Sequence, residues 1–113
     1  MDSDKDKDVA AYEAALTEAI TEKEKLLKWI DETDDFKPIR IFDPSPSQFR
    51  KVARSAINKI DPASPNATNE LKKFIREADW IKRFGMKSLT DRLESFMLYC
   101  GGVQFRRDMM KRQ

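Results

Sequence analysis

The chain of 113 residues is short enough for a single domain and long enough to bury about two-thirds of the surface its unfolded form exposes. Its 22 basic and 20 acidic side chains leave a net charge of +2, with one cysteine and no histidine. This composition excludes an internal disulfide, a cysteine–histidine zinc site and an imidazole general base, and the longest apolar stretch, FMLYCGGV at 96–103, is far short of the ~20 residues a membrane-spanning helix needs.

The small total hides a separation along the chain. Residues 1–35 carry 12 acidic side chains against 5 lysines, whereas 36–113 carry 8 acidic against 17 basic. Such asymmetry marks either a basic surface regulated by an acidic region or two zones that neutralise one another within one fold.

Residues 1–7 alternate Asp and Lys with nothing to bury, so they are expected to be a disordered lead-in to a single helical domain over 8–113. The Asp-rich start has neither the basic flank nor the apolar run of a signal peptide, which with a lone Cys100 points to an intracellular, cytoplasmic or nuclear setting. From Val9 the apolar positions follow helical spacing, Val9, Tyr12, Leu16, Ala19, Leu26 and Ile30, with Lys23 set into the seam; a helix over 8–33 is expected, with self-association through it as one use of that seam. Prolines 38, 44 and 46 then end the helix and make a Pro-rich connector. Within it Ile39 and Ile41 alternate with Arg40, and a short edge strand pairing with Val103 and Phe105 is the alternative reading there.

Ser45-Pro46-Ser47-Gln48 has the form of a capping box, which starts a second helix over 46–60. One face of it is apolar, with Phe49, Val52, Ala53, Ala56, Ile57 and Ile60, and the other holds Arg50, Lys51, Arg54 and Lys59 without an acid. That basic face suits phosphates, an anionic membrane surface or an acidic peptide. After Pro62, a third helix is expected over 67–84, capped at Asn66 or Thr68 and closed by Gly85. Leu71, Phe74, Ile75, Ala78 and Ile81 line one side of it, and Trp80 and Phe84 fall nearly opposite, sharing their side with Lys73, Arg76 and Arg83. Two apolar faces predict a central helix sandwiched between helix 1 and a helix 2/4 pair, or else an aromatic patch rimmed with cations. A fourth helix, over 89–100, opens with Ser88 as cap and Asp91 behind it, buries Leu89, Leu93, Phe96, Met97 and Cys100, and ends at Gly101-Gly102; a fifth turn over 103–111 completes the tail. The fold class is therefore all-α, a four- to five-helix bundle or orthogonal helical array.

The corner RFGMKSLTDRL resembles a helix-turn-helix, a family that usually places a small residue four before the turn glycine and an apolar one six after it; Ile81 and Asp91 stand there instead. With Trp80, Ile81, Phe84, Gly85, Leu89 and Leu93, the stretch 80–93 also resembles the armadillo-like, GTPase-binding region of diaphanous-type formins. Both resemblances imply a helical corner, and the residues favour a packed bend over a reading head.

No catalytic constellation is present, the carboxylates of 31–35 lack the glycine and distal glutamate of a calcium loop, and no metal or cofactor is implied. Cys100, placed near a helix C-terminus, is a poor nucleophile. The expectation is a non-catalytic interaction module, an adaptor whose Arg50, Lys51, Arg54, Lys59, Lys73, Arg76, Trp80, Arg83 and Phe84 dock an acidic or amphipathic segment of another protein. The alternative is nucleic-acid binding through the same basic helix, the helix 3/4 corner and the tail, with Lys87, Arg92, Arg106, Arg107, Lys111 and Arg112 as contacts.

Overall fold

In the computed structural model the residues described are 2–36, 45–78, 81 and 87–111. Among them the chain is all-α, with no strand, and its helices are α1 (Asp2–Glu32), α2 (Pro46–Asn58), α3 (Ala67–Glu77) and α4 (Lys87–Lys111). The connector prolines 38 and 44, the Ile39–Ile41 alternation and most of the 79–86 corner lie outside the described residues.

The two long helices, α1 and α4, form the spine and run antiparallel: the Arg107 guanidinium lies over Tyr12 at 5.8 Å from the ring centroid, and Arg92 lies over Trp29 at 4.6 Å. Extents of 63 × 24 × 19 Å show a bundle drawn out along that pair. α2 packs on the C-terminal half of α1, also antiparallel, and α3 packs on α4. The core joins all four, with Leu26 and Ile30 of α1, Phe49, Ala53 and Ile57 of α2, Ala67 and Leu71 of α3, and Leu89, Leu93, Phe96 and Cys100 of α4. Phe36, just past α1, is its aromatic keystone, edge-on to Phe49 at 4.4 Å and to Trp29 at 5.8 Å.

Local signals decide several boundaries as expected. The Ser45 hydroxyl accepts the Gln48 backbone N–H at 3.2 Å and the Gln48 side chain accepts the Ser45 N–H at 3.1 Å, with Pro46 in the first helical position. Lys23, the polar interruption of the α1 seam, is where a lysine is useful: its ammonium donates to the carbonyls of Asn58 at 3.1 Å and Ile60 at 2.7 Å, satisfying the C-terminal end of α2.

Other expectations are corrected. Residues 2–7 are helical, because extending an established helix costs little and a carboxylate in the first turn, Asp4, is favoured by the positive end of the dipole. α2 stops at Asn58, two residues short, and α3 at Glu77, where Ala78 takes ψ near 80° and leaves helical geometry. The bulk of α3's helix contact is with α4, so the α1–α4 pair holds the centre that was expected for helix 3. Asn66 occupies the N-cap position of α3 without a side-chain bond; the turn before it is held instead by Asp61, whose carboxylate accepts the Ala63 N–H at 2.9 Å, and by Ser64, whose hydroxyl accepts the Asn66 N–H at 3.2 Å. α4 begins at Lys87, which places Ser88 inside its first turn rather than at the cap.

The largest departure is at Gly101-Gly102, through which α4 continues to Lys111 without a break. Two helical glycines cost about 1 kcal/mol each relative to alanine. Contacts beyond them outweigh that cost: Val103 is fully buried, and Arg107 donates to the Ala63 carbonyl as well as covering Tyr12. The separate fifth turn is thus part of α4, and Val103 and Phe105 are helical rather than partners for a strand.

Candidate docking surface

α2 carries the densest run of basic residues, and its helical phase divides them. Phe49, Ala53 and Ile57 face the core. Arg50 and Arg54 border that stripe one turn apart, and Lys51, Ser55 and Lys59 lie on the far side.

The two arginines turn towards α1. Arg50 donates to the carbonyls of Thr33 at 2.6 Å and Asp31 at 3.3 Å, and its guanidinium lies 5.7 Å from the centroid of Phe36. Arg54 donates to the Leu27 carbonyl at 3.4 Å and pairs with the Asp31 carboxylate. The last carbonyls of a helix have no intrahelical donors and carry the negative end of its dipole, so guanidinium groups fit there. The acidic stretch 31–35 is therefore partly a docking point for α2; Asp34 and Asp35 stay exposed, and Thr33 is buried.

The two lysines remain in solvent. A shallow groove of 340 Å³ is lined by the row Lys51, Ser55 and Lys59 and by Val52 and Ala56 beside it, and Val52 is 51% exposed. Apolar surface beside a row of ammonium groups suits an acidic amphipathic helix. Sequence reasoning placed Val52 on the buried face and did not see that it lines a groove; its offset of one residue from Ala53 was the available signal.

The remaining expected residues are spread out. Lys73 and Arg76 are exposed on α3, and Trp80, Arg83 and Phe84 lie outside the described residues. Of the nucleic-acid set, Arg92 and Arg107 cover aromatic rings of α1, Arg106 lies over its neighbour Phe105 at 5.5 Å, and Arg112 is outside the described residues. Lys87 and Lys111 sit at opposite ends of α4, a helix about 37 Å long at 1.5 Å per residue. Cys100 is buried in mid-helix, not near a terminus; burial pushes its thiol up to about 11, against a smaller lowering by Lys23 and a small rise from Asp61. Among the described residues no helix is long and apolar enough to cross a membrane, and no group of three or more carboxylate or cysteine side chains is placed to hold a metal ion.

Comparison with known proteins gives no family for the chain: no family model matches it, and searches of curated proteins and of solved structures return no significant match.

Proposed function

We propose that the protein is a non-catalytic interaction module, an adaptor of the cytoplasm or nucleus, that docks an acidic amphipathic helix of another protein in the α2 groove along Lys51, Ser55 and Lys59. The observation that carries the reading is a row of exposed Lys51 and Lys59, with no partner among the described residues, beside exposed Val52 on a helix whose opposite side is locked into the core. The absence of histidine and the buried, protonated Cys100 thiol support a role in binding rather than chemistry. Lys73 and Arg76 add positive charge on the neighbouring helix for long-range steering.

The test is a fluorescence-anisotropy titration with a labelled helical peptide bearing glutamates on one face and leucines on the other. Binding is expected to weaken with added salt and to fall by roughly tenfold or more in the Lys51→Glu/Lys59→Glu variant, with circular dichroism unchanged. Equal binding by wild type and variant, or by a peptide of the same composition in scrambled order, overturns the reading. Parallel titrations with duplex DNA and single-stranded RNA address the alternative; tight binding there with a steep salt slope, and none to the peptide, replaces the proposed partner with nucleic acid.

A further inference from the structure

α1 carries one surface pattern twice. Residues 5–13, KDKDVAAYE, and 23–31, KEKLLKWID, both read Lys, acid, Lys, then an apolar residue at the fifth and eighth positions and an acid at the ninth. The offset of 18 residues is five turns at 3.6 residues per turn, so matching side chains leave the helix in the same direction. The second segment is where α2 docks. Lys23 donates to the Asn58 and Ile60 carbonyls, Arg54 donates to the Leu27 carbonyl and pairs with the Asp31 carboxylate, and Glu24 and Leu27 line the cleft at the end of α2. The first segment has the same acid–apolar–acid line in Asp6, Val9 and Glu13. α2 stops at Asn58, level with Lys23, and that line is left exposed, Val9 to 38%.

What the line binds at residues 24–31 shows what suits it at 6–13, a basic helix with apolar surface beside its cations. In this sequence α2 is such a helix. Its arginines are engaged on its own α1, which leaves Lys51 and Lys59 with Val52 beside them. Asp6 and Glu13 stand seven residues apart, about 10 Å, and Lys51 and Lys59 eight, about 12 Å. With the two helices parallel, one register therefore sets Asp6 by Lys51 and Glu13 by Lys59 and brings Val9 to the Val52 side. Lys5 falls on that same Val52 edge, across the contact from Lys51, and Lys7 points away from it.

We propose that the 5–13 segment of α1 docks on the lysine row of α2 in a second copy of this chain, with Asp6 against Lys51 and Glu13 against Lys59. The inference rests on the reading of α2 as a dock for an acidic helix and names one occupant. It places self-association on the outer line of α1 and not on its apolar seam, whose Ala19, Leu26 and Ile30 are buried within the monomer.

Sedimentation equilibrium of the full chain at low salt over a concentration series tests it, with circular dichroism as the check on folding. Wild type should show a reversible self-association that weakens as salt is added. Lys51→Glu/Lys59→Glu and Asp6→Lys/Glu13→Lys should each weaken it by about tenfold or more. An equimolar mixture of these two variants should associate again, because each then meets the opposite charge on the other. A wild-type chain that is monomeric throughout, an association indifferent to either variant, or a mixture no more associated than its components overturns the proposal. Asp6→Lys/Glu13→Lys keeps the lysine row, so it should still bind the acidic helical peptide. Peptide binding without self-association overturns this inference alone, and loss of both overturns the reading of α2 with it.

Discussion

Arg50 and Arg54 on one side of α2, and Lys51 and Lys59 on the other, look alike in the sequence and do opposite work in the fold. The arginines close the C-terminal end of α1 by donating to its carbonyls, and they bring the basic part of the chain onto the acidic part at Asp31. The lysines have no such partner among the described residues and keep the charge at the surface beside Val52. The difference follows from phase: residues at the edge of an apolar stripe are carried to the neighbouring helix, and residues opposite it are not. Guanidinium groups also suit the edge position, since a planar fork can serve several carbonyls at once while its stem stays on apolar surface.

The comparison breaks most severely if the core side of α2 is lost. Phe49→Ala removes the ring packed on Phe36 and should destabilise the protein by about 3–5 kcal/mol in urea denaturation, releasing both sets of cations together. Next in size is Lys23→Met, which leaves the Asn58 and Ile60 carbonyls without their donor; a loss of about 1–3 kcal/mol is expected, with α2 fraying from its C-terminal end in hydrogen exchange. Ser45→Ala deletes half of the capping box at the other end of α2 and should cost about 1 kcal/mol by the same denaturation assay. A further effect is on pH. Burial holds the Cys100 thiol at about 11 against an ordinary 9.0, so the folded state keeps a proton that the unfolded chain releases, and stability falls as the pH rises through that interval. The melting temperature of wild type should therefore drop more between those pH values than that of Cys100→Ala, in which all lysines and tyrosines are retained.

What the sequence revealed was what is local. Helical phase located the core residues of α2 and α4, and the Ser45–Gln48 spacing located a helix start. What it hid was set by partners distant in the chain. Gly101-Gly102 has the local form of a helix stop, and only Val103 and Arg107, finding their places against other elements, carry α4 through it. The basic face of α2 looked uniform because the carbonyls that engage Arg50 and Arg54 come from residues 27–33, across the connector. Lys23 looked like a flaw in a seam for the same reason.

The division of α2 into structural arginines and free lysines is tested most directly by measuring unfolding free energies of two double variants side by side in urea. Arg50→Met/Arg54→Met should lose about 1–3 kcal/mol, since it removes the part-buried donors to the Thr33 and Leu27 carbonyls, whereas Lys51→Met/Lys59→Met should stay within about 0.5 kcal/mol of wild type. Equal losses in the two variants, or a larger loss from the lysine pair, would contradict the account.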